Sequence, residues 1–288
     1  MSFAEEKRLD RRLLGHAVPG THRHYAPADC ARYALSIGLG HDPLDPLQLD
    51  FVQLGRSLRV VPTMAIVLGS AGFWLADPAL GVDIASVLHG EQRLRMLRPL
   101  PDRAEVMGAS EVVRVVDQGA GRGALLYTRT SLADAHSGER YAEMESTTFI
   151  RRAGGFGGPA GPVNPAPMAP SRPPDGSVAV ATRPEQALWY RLNGDLNPIH
   201  ADPAVARRGG FERPILHGLC TLGIACQSLV RARAGGDPGR LRELNVRFLA
   251  PVFPGEALVT DWWSDGAFCC RVPARGATVL RGHSTWEG

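Results

Sequence analysis

The chain has 288 residues, of which 44% are hydrophobic and 21% are charged, and its formal net charge at pH 7 is +3. This composition is typical of a soluble globular protein with one large domain or two domains of ordinary size. The positive charge comes from scattered arginines, without the basic runs and interleaved aromatic residues of nucleic-acid binders. We therefore expect no nucleic-acid partner, whereas a small phosphorylated ligand suits the mild positive charge.

The cysteines and the two ends of the chain bear on its location. The five cysteines have no CxxC spacing, and Cys269 and Cys270 are adjacent, which argues against a disulfide framework and a zinc site. The first twenty residues lack the basic and apolar regions of a signal peptide, the ending "STWEG" is not a peroxisomal signal, and no segment looks long and apolar enough to span a bilayer. These features predict a cytoplasmic protein without membrane contact.

In chain order, the first informative feature is an internal echo. The stretch "ARYALSIGLGHDP" from Ala31 has the outline of "ALWYRLNGDLNP" from Ala187, with an aromatic residue, a glycine, an acid and a proline in the same order. A second echo relates "RLRMLRPLP" from Arg93 to "ELNVRFLAPVFPG" from Glu243. The spacing between echoes is similar, so the pattern indicates an ancestral duplication. Only the second copy has Asn-Pro-x-His, so we expect the chemistry in the second lobe.

The segment from Met64 to Gly90 is a weakened counterpart of a helix. Its apolar residues are interrupted by glycines and by Pro78, which break a helix. A shortened helix would leave apolar space in the first lobe. That space would suit the apolar tail of a substrate, of medium or longer chain length.

Strands follow, and then a linker. Residues 111–152 alternate in polarity and contain two glycine-bearing turns, which predicts three long strands. Residues 153–177 are dense in glycine and proline and have almost nothing to bury. We predict an N-terminal lobe at 1–152, a linker at 153–177 and a C-terminal catalytic lobe at 178–288.

The strongest helix signal lies in the second lobe. It begins at about Gly218, ends at Gly235-Gly236, and has apolar residues around most of its circumference. Such a helix is buried on nearly all sides, as when a curved sheet wraps around it. Further strands with turn signals follow to the end of the chain, so the predicted class is α+β.

The motif "GDLNPIH" carries the candidate chemistry. Pro198 fixes its own backbone and Asn197 favours a turn, which can bring Asp195 and His200 to one side of the loop. A carboxylate and an imidazole that share one water form a general acid/base pair, and the Asn197 amide can orient that water. The alternative is an Asx-turn in which Asp195 caps backbone amides and His200 is an ordinary surface residue.

A possible oxyanion site follows downstream. Gly218 begins the predicted helix, where free N–H groups and the helix dipole favour an oxygen that gains negative charge. His217 could titrate as well, although a histidine there more often satisfies backbone or packing. His89 and Gly90 repeat the His-Gly pair in the first lobe, where we expect contact with a ligand and no catalysis.

These residues carry a resemblance to a known family. The stretch "YRLNGDLNPIHADPAVARRGGFERPILHG" resembles the hydratase 2 motif of the MaoC-like (R)-specific enoyl-CoA hydratases. The stretches "YALSIGLG", "LHGEQRLRMLRPLP" and "GGFGG" resemble the first half of the two-lobed, eukaryotic-type members. The resemblance implies a double hotdog fold with a degenerate N-terminal lobe, a homodimer, an acyl-CoA substrate, and neither a metal nor an organic cofactor.

The resemblance also implies roles for single residues. Asp195 and His200 match the catalytic pair, Asn197 the amide that positions water, and Gly218 the backbone donor to the thioester oxygen. The residues expected to bind substrate are His89, Gly90, Pro198, Phe248, Gln118 and Arg122. Gln118 stands where a lysine is expected in the eukaryotic enzymes, and Arg122 is a possible replacement for a phosphate contact. Phe248 is equally well interpreted as a core aromatic residue.

The function that follows is the reversible hydration of trans-2-enoyl-CoA to (3R)-3-hydroxyacyl-CoA in fatty acyl-CoA metabolism. Two alternatives remain open at this point, because a fold does not fix a function. A hotdog thioesterase would cleave the same thioester, and a non-catalytic acyl-CoA-binding protein would leave it unchanged. The set of acid, amide, imidazole and oxyanion glycine favours an enzyme over a binding protein.

Overall fold

The computed structural model describes residues 9–161 and 168–288. Within these ranges, ten strands form one continuous sheet that helices flank. The strands are β1 (Thr21–Tyr25), β2 (Val87–Met96), β3 (Ala104–Asp117), β4 (Ala124–Asp134), β5 (Arg140–Ile150), β6 (Gly176–Ala181), β7 (Leu241–Phe248), β8 (Ala257–Trp262), β9 (Ala267–Val272) and β10 (Ala277–Trp286). The helices are α1 (Leu9–Leu14), α2 (Pro27–Ser36), α3 (Pro46–Val52), α4 (Met64–Gly69), α5 (Gln186–Tyr190), α6 (Pro203–Arg208) and α7 (Gly218–Ala234).

The sheet consists of two halves with the same topology. The strand order is β1-β3-β4-β5-β2 in the first half, and the second half repeats it as β6-β8-β9-β10-β7. The halves join edge to edge where β2 pairs antiparallel with β7, with Arg93 opposite Asn245. Joining the edges in this way removes two exposed strand edges. The arrangement is the predicted α+β double hotdog, and its internal symmetry agrees with the echoes in the sequence.

Helix α7 is the central helix of the second half. Eleven of its 17 residues are buried, and it contacts β6, β7, β8 and β10. It ends at Gly235, whose φ of 58° lies in the left-handed region and whose N–H donates to the Val230 carbonyl. The predicted bounds and burial of this helix are confirmed.

Helix α4 is the corresponding helix of the first half, and it has only six residues. It contacts β1, β3, β4 and β5. Three short 3-10 turns follow before β2, and the side chains of Asp77 and Asp83 cap the second and third of them. The predicted interruption is confirmed, and part of the inner face of this half of the sheet is left without a covering helix.

Asp117 at the end of β3 anchors the beginning of the predicted linker. Its carboxylate accepts hydrogen bonds from the backbone N–H groups of Gly119, Gly155, Gly157 and Gly158. Burial acts to raise the pKa of Asp117, but these four donors hold it below its ordinary value. Within the predicted linker at 153–177, residues 162–167 lie outside the described part of the chain, and β6 already begins at Gly176. The boundaries of the lobes stay a prediction.

The thiols belong to the core. All five cysteines are buried and free, and burial raises the pKa of Cys226 and of Cys270 to about 12. They are therefore protonated and unreactive at neutral pH. None of the helices in the described residues is long and apolar enough to cross a membrane.

Candidate active site

The loop that carries the candidate catalytic residues connects α5 to α6 and is shaped by its own side chains. The Asp195 Oδ1 atom accepts the N–H of Asn197 at 3.2 Å. The Asn197 Oδ1 atom in turn accepts the N–H of Ile199 at 3.1 Å and caps a 3-10 turn that begins at Pro198. The Asx-turn alternative is therefore present in the local geometry. It uses one polar atom of each side chain, and it leaves the second carboxylate oxygen of Asp195 and the amide nitrogen of Asn197 for a ligand or water.

His200 lines a cavity, and a hydrogen bond sets its tautomer. Its Nδ1 atom lies 2.8 Å from the Ile215 carbonyl oxygen, so Nδ1 carries the proton and donates it. The Nε2 atom then has a free lone pair. Burial lowers the pKa of His200, although the Asp195 charge partly opposes this, so the ring is neutral at pH 7. A neutral imidazole with a free Nε2 can act as a general base.

His217 lies against both catalytic candidates. Its ring stacks on that of His200 with centroids 3.7 Å apart, and its Nε2 atom lies 3.3 Å from the Asp195 carbonyl oxygen. Burial, followed by the proximity of His200, holds the pKa of His217 well below its ordinary value. The interpretation of His217 as a packing and backbone contact agrees with this geometry. The sequence did not indicate that the ring packs on His200.

Asp195, His200 and His217 each offer a ligand atom, and these atoms lie within 4.8 Å of one another. A metal ion needs lone pairs that converge on one point. The two rings are only 24° from parallel, and each already has one nitrogen close to a backbone carbonyl. Stacked, nearly parallel rings direct their in-plane lone pairs side by side. The cluster is therefore better suited to hold a water molecule than a metal ion.

Gly218 is the first residue of α7, next to this cluster. The N–H groups of Cys220 and Thr221 bond to the His217 carbonyl, whereas the Gly218 N–H has no acceptor inside the helix. A Cβ atom on Gly218 would lie 3.2 Å from the Phe248 ring, so the glycine permits a close approach. A bare N–H at the positive end of a long helix can stabilise an oxygen that becomes negative.

His89 and Phe248 line the same cavity as Asp195 and His200. Their rings meet edge to face with centroids 5.0 Å apart, and His89 lies at an irregularity of β2. Phe248 packs on the core and also lines the cavity, so both interpretations of this residue apply. Gly90 does not line the cavity; a Cβ there would lie 3.0 Å from the Thr147 carbonyl oxygen. Pro198 also lies outside the lining and acts by shaping the turn.

Gln118 and Arg122 are not brought to this cavity. Both lie in the turn between β3 and β4, where the Gln118 amide is 3.5 Å from the Gly161 carbonyl oxygen. Arg122 is exposed in the same turn. Their expected contact with the CoA portion stays a prediction.

The cavity has a volume of about 350 Å³, and both halves of the chain contribute to it. Apart from His89, the sequence interpretation missed the residues of the first half that line it. These are Arg23 on β1 and polar residues on the inner faces of β2 to β5, such as Thr128, Thr130 and Ser146. One available signal was the spacing of Thr128 and Thr130, since residues two apart on a strand share a face.

The double hotdog, with an Asp/Asn/His loop that faces a helix N-terminus, defines a MaoC-like protein. Residues 24–152 match the family model described as the MFE-2 hydratase 2 N-terminal domain, and residues 165–278 match the MaoC like domain. The chain belongs to the MaoC-like hydratase 2 family, as the resemblance indicated.

Similar proteins cover nearly the whole chain. It is 38% identical over 294 residues to the peroxisomal enoyl-CoA hydratase 2 of Arabidopsis thaliana, over 96% of this chain and 94% of that one. It is 39% identical over 256 residues to the 3-hydroxyacyl-thioester dehydratase Y of Mycobacterium tuberculosis, over 88% and 87%. The solved full-length peroxisomal multifunctional enzyme type 2 from Drosophila melanogaster superposes with a TM-score of 0.80 at 31% identity. That match covers 93% of this chain and 48% of the Drosophila protein, so this chain spans about half of that protein's length.

The predicted cytoplasmic location is wrong in the light of these relatives. The names of the Arabidopsis and Drosophila proteins both place them in the peroxisome. The physical reason for the error is that free cysteines report only a reducing environment, which does not single out one compartment.

Proposed function

We propose that this protein adds water across the double bond of a trans-2-enoyl-CoA and forms the (3R)-3-hydroxyacyl-CoA. The observation that carries the proposal is the orientation of His200, whose Nδ1–H bond to Ile215 leaves Nε2 as an acceptor, in a ring that has a nitrogen within 4.8 Å of an Asp195 carboxylate oxygen. The enoyl-CoA hydratase and hydroxyacyl-thioester dehydratase relatives named above support the same reaction class, since the two names describe opposite directions of one equilibrium.

The proposed first step activates one water molecule. The water donates one hydrogen bond to Nε2 of His200 and one to the free carboxylate oxygen of Asp195, while the Asn197 amide nitrogen donates to the water oxygen. As the water attacks C3 of the enoyl group, one of its protons passes to this pair of bases. The hydroxyl group becomes bonded to C3.

The second part of the reaction returns the proton. The π electrons of the C2–C3 bond move towards the thioester, whose oxygen becomes enolate-like and accepts the Gly218 N–H. Collapse of this enolate takes the proton back from the acid/base pair at C2. The sum is one water consumed, one C–O bond and one C–H bond formed, and no net change in the enzyme. His200 is uncharged before and after the cycle, which agrees with its lowered pKa.

The first half supplies the space for the acyl group. His89 and Phe248 line one cavity together with Asp195, His200 and inner-face residues of the first half of the sheet. We therefore assign acyl-chain binding to the N-terminal lobe and catalysis to the C-terminal lobe. The family resemblance further supports a homodimer, which size-exclusion chromatography with light scattering would test.

The rival thioesterase activity would direct the same water at the thioester carbon. One experiment separates the candidates: absorbance at the enoyl-thioester band with purified protein and trans-2-enoyl-CoAs of several lengths, with chiral analysis and a parallel assay for free thiol. We expect the enoyl-thioester absorbance to disappear, the 3R product to form and no free thiol to be released. Thiol release would favour the thioesterase, and an unchanged band at every length would favour a binding protein.

A further inference from the structure

Arg23 on β1 stands out among the residues that line the cavity. It is the only cationic side chain in that lining within the described ranges. One guanidinium nitrogen donates to the Ser70 carbonyl oxygen at 3.1 Å, and the same nitrogen lies 3.7 Å from the place of a Cβ on Gly194, the residue before Asp195. Arg23 thus reaches the neighbourhood of the catalytic loop from the first half of the chain.

Among residues 9–161 and 168–288, Arg23 has no carboxylate partner, and its buried Nε–H has no acceptor. A partly buried cation with an unused donor costs free energy unless a ligand anion or water satisfies it. The planar guanidinium offers parallel donors that match a carboxylate.

The sheet face beside Arg23 is polar. Five hydroxyl side chains line the cavity there, and we call them the hydroxyl patch: Ser110, Thr128, Thr130, Ser146 and Thr148. Ser110 pairs across strands with Thr130, and Thr128 with Ser146, so the patch is contiguous. The Ser110 and Thr130 hydroxyls bond to each other at 2.8 Å, whereas in the described chain those of Thr128, Ser146 and Thr148 have no protein partner. A purely hydrocarbon tail would leave these groups unsatisfied.

The hydroxyl patch connects the catalytic centre with Arg23. At one end, Thr148 lies opposite His89, which contacts Phe248 beside Gly218. At the other end, Gly69 packs on Thr130, with 3.1 Å from its Cβ position to the threonine methyl. Gly69 directly precedes Ser70, which holds Arg23. The hydroxyl patch therefore extends from the strand pair that carries His89 to the Gly69–Ser70 segment that holds Arg23.

We infer that the preferred acyl group carries a carboxylate that pairs with Arg23, so that the substrate is an ω-carboxy-2-enoyl thioester. The inference rests on the proposed hydratase function and names its substrate class. A phosphate of CoA would offer the same anionic chemistry to Arg23. The carboxylate is favoured because Arg23 lines the same cavity as the hydroxyl patch, Asp195 and His200, whereas the long pantetheine arm separates the phosphates from the thioester.

The test compares matched substrates. Methyl-terminated and ω-carboxy trans-2-enoyl-CoAs of six, eight and ten carbons are assayed with the wild-type protein, Arg23→Met and Arg23→Lys. The control is Arg32→Met, which removes an exposed arginine that pairs with Asp29 on α2. We expect the wild type to favour the carboxylate at one length or more. In Arg23→Met, kcat/KM should fall about 10- to 100-fold further for the carboxylate than for the methyl substrate, as expected for a charge-assisted hydrogen bond.

Arg23→Lys keeps the charge without the planar fork and should give an intermediate ratio. The same acyl groups on pantetheine, which lacks the nucleotide and its phosphates, should retain the Arg23→Met deficit. A deficit that vanishes on pantetheine assigns Arg23 to a phosphate and overturns the inference.

The inference is also overturned if the wild type favours methyl substrates at every length, or if Arg23→Met lowers both substrates equally together with Tm, since Arg23 would then only hold the Ser70 loop. Failure to hydrate any enoyl thioester would refute the proposed function itself, which is a separate result.

Discussion

The two halves of the sheet have the same strand order and different central helices. The second half keeps a 17-residue central helix, whose first turn presents Gly218 to the catalytic loop. The first half has a six-residue α4, and its sheet face lines a cavity where a full helix would lie. One half therefore supplies a rigid helix terminus, and the other supplies volume. The loss of the central helix in one copy of a repeated fold is thus what opens the cavity, and the proposed division of binding from catalysis rests on this difference.

The largest expected effect is a loss of activity on substitution in the loop from Asp195 to His200, but not in the corresponding loop of the first half. Asp195→Asn and His200→Gln should each lower kcat/KM by about 10² to 10⁴, because each removes part of the proposed acid/base pair. The matched control is Asp42→Asn in the corresponding first-half loop, where the exposed carboxylate caps Leu44. Steady-state hydration assays with thermal unfolding check the result. Loss of activity in the Asp42 variant, or its retention in both catalytic variants, would contradict the assignment of chemistry to one loop.

The next effect concerns the helix that only the second half retains. Gly218→Pro removes the proposed N–H donor at a helix position that tolerates proline, and the His217 ψ of 134° is compatible with a following proline. Gly218→Ala keeps the donor but adds the same contact with Phe248. We expect kcat of the proline variant to lie about 10² to 10³ below that of the alanine variant. Equal kcat values in the two variants would mean that the N–H does not contribute.

A smaller effect sharpens the role of the first half. Ser146→Phe adds a large ring on the cavity side of β5, so it should lower kcat/KM for longer acyl chains about 10-fold more than for a four-carbon chain. Glu145→Phe, on the opposite face of the same strand, is the control. The measurement is a chain-length series. A uniform loss across that series would argue that the acyl group lies elsewhere.

The smallest effect is a shift in pH dependence. Burial lowers the pKa of His200, so its basic form persists below about pH 6.5 and activity should fall only as the pH drops through this lowered value. His217→Gln removes the stacked ring and admits water, which should move the acidic midpoint of kcat/KM upwards by less than about one unit. A downward shift, or none, would show that the stack does not desolvate His200.

The same lowered pKa affects stability, with a fixed sign. An unfolded histidine binds a proton near pH 6.5, whereas buried His200 and His217 bind it only at lower pH. The unfolded chain therefore takes up more protons as the pH falls. The folded protein therefore keeps its full stability above about pH 6.5. It loses part of this stability as the pH falls below 6.5 and through the lowered pKa values of His200 and His217.

Much of this protein could be predicted where the signal is local. The bounds of α7 followed from a glycine stop and an apolar periodicity, and the three long strands of the first half followed from alternation and turn glycines. The loop from Asp195 to His200 followed from the restrictions that proline and asparagine impose on a few neighbouring bonds. The family followed from a long ordered motif, and the models that match both halves confirmed it.

Other features depended on contacts between residues far apart in the chain. The His200 tautomer is set by Ile215, the stack with His217 crosses 17 residues, and the approach of Arg23 to Gly194 joins two halves. The hydroxyl patch exists only through the register of β3, β4 and β5. For Gln118 and Arg122 the family resemblance suggested a contact with the substrate, but neither residue lines the described cavity.

The sequence by itself therefore determined the elements, the conformation of the loop from Asp195 to His200 and the family, because short-range backbone restrictions and periodicity act within a few residues. The tertiary structure alone decided which polar atoms remain free and which side chains meet across the cavity. The physical reason is that hydrogen-bond satisfaction and burial depend on strand register and on the joining of β2 to β7, which bring together residues separated by most of the chain.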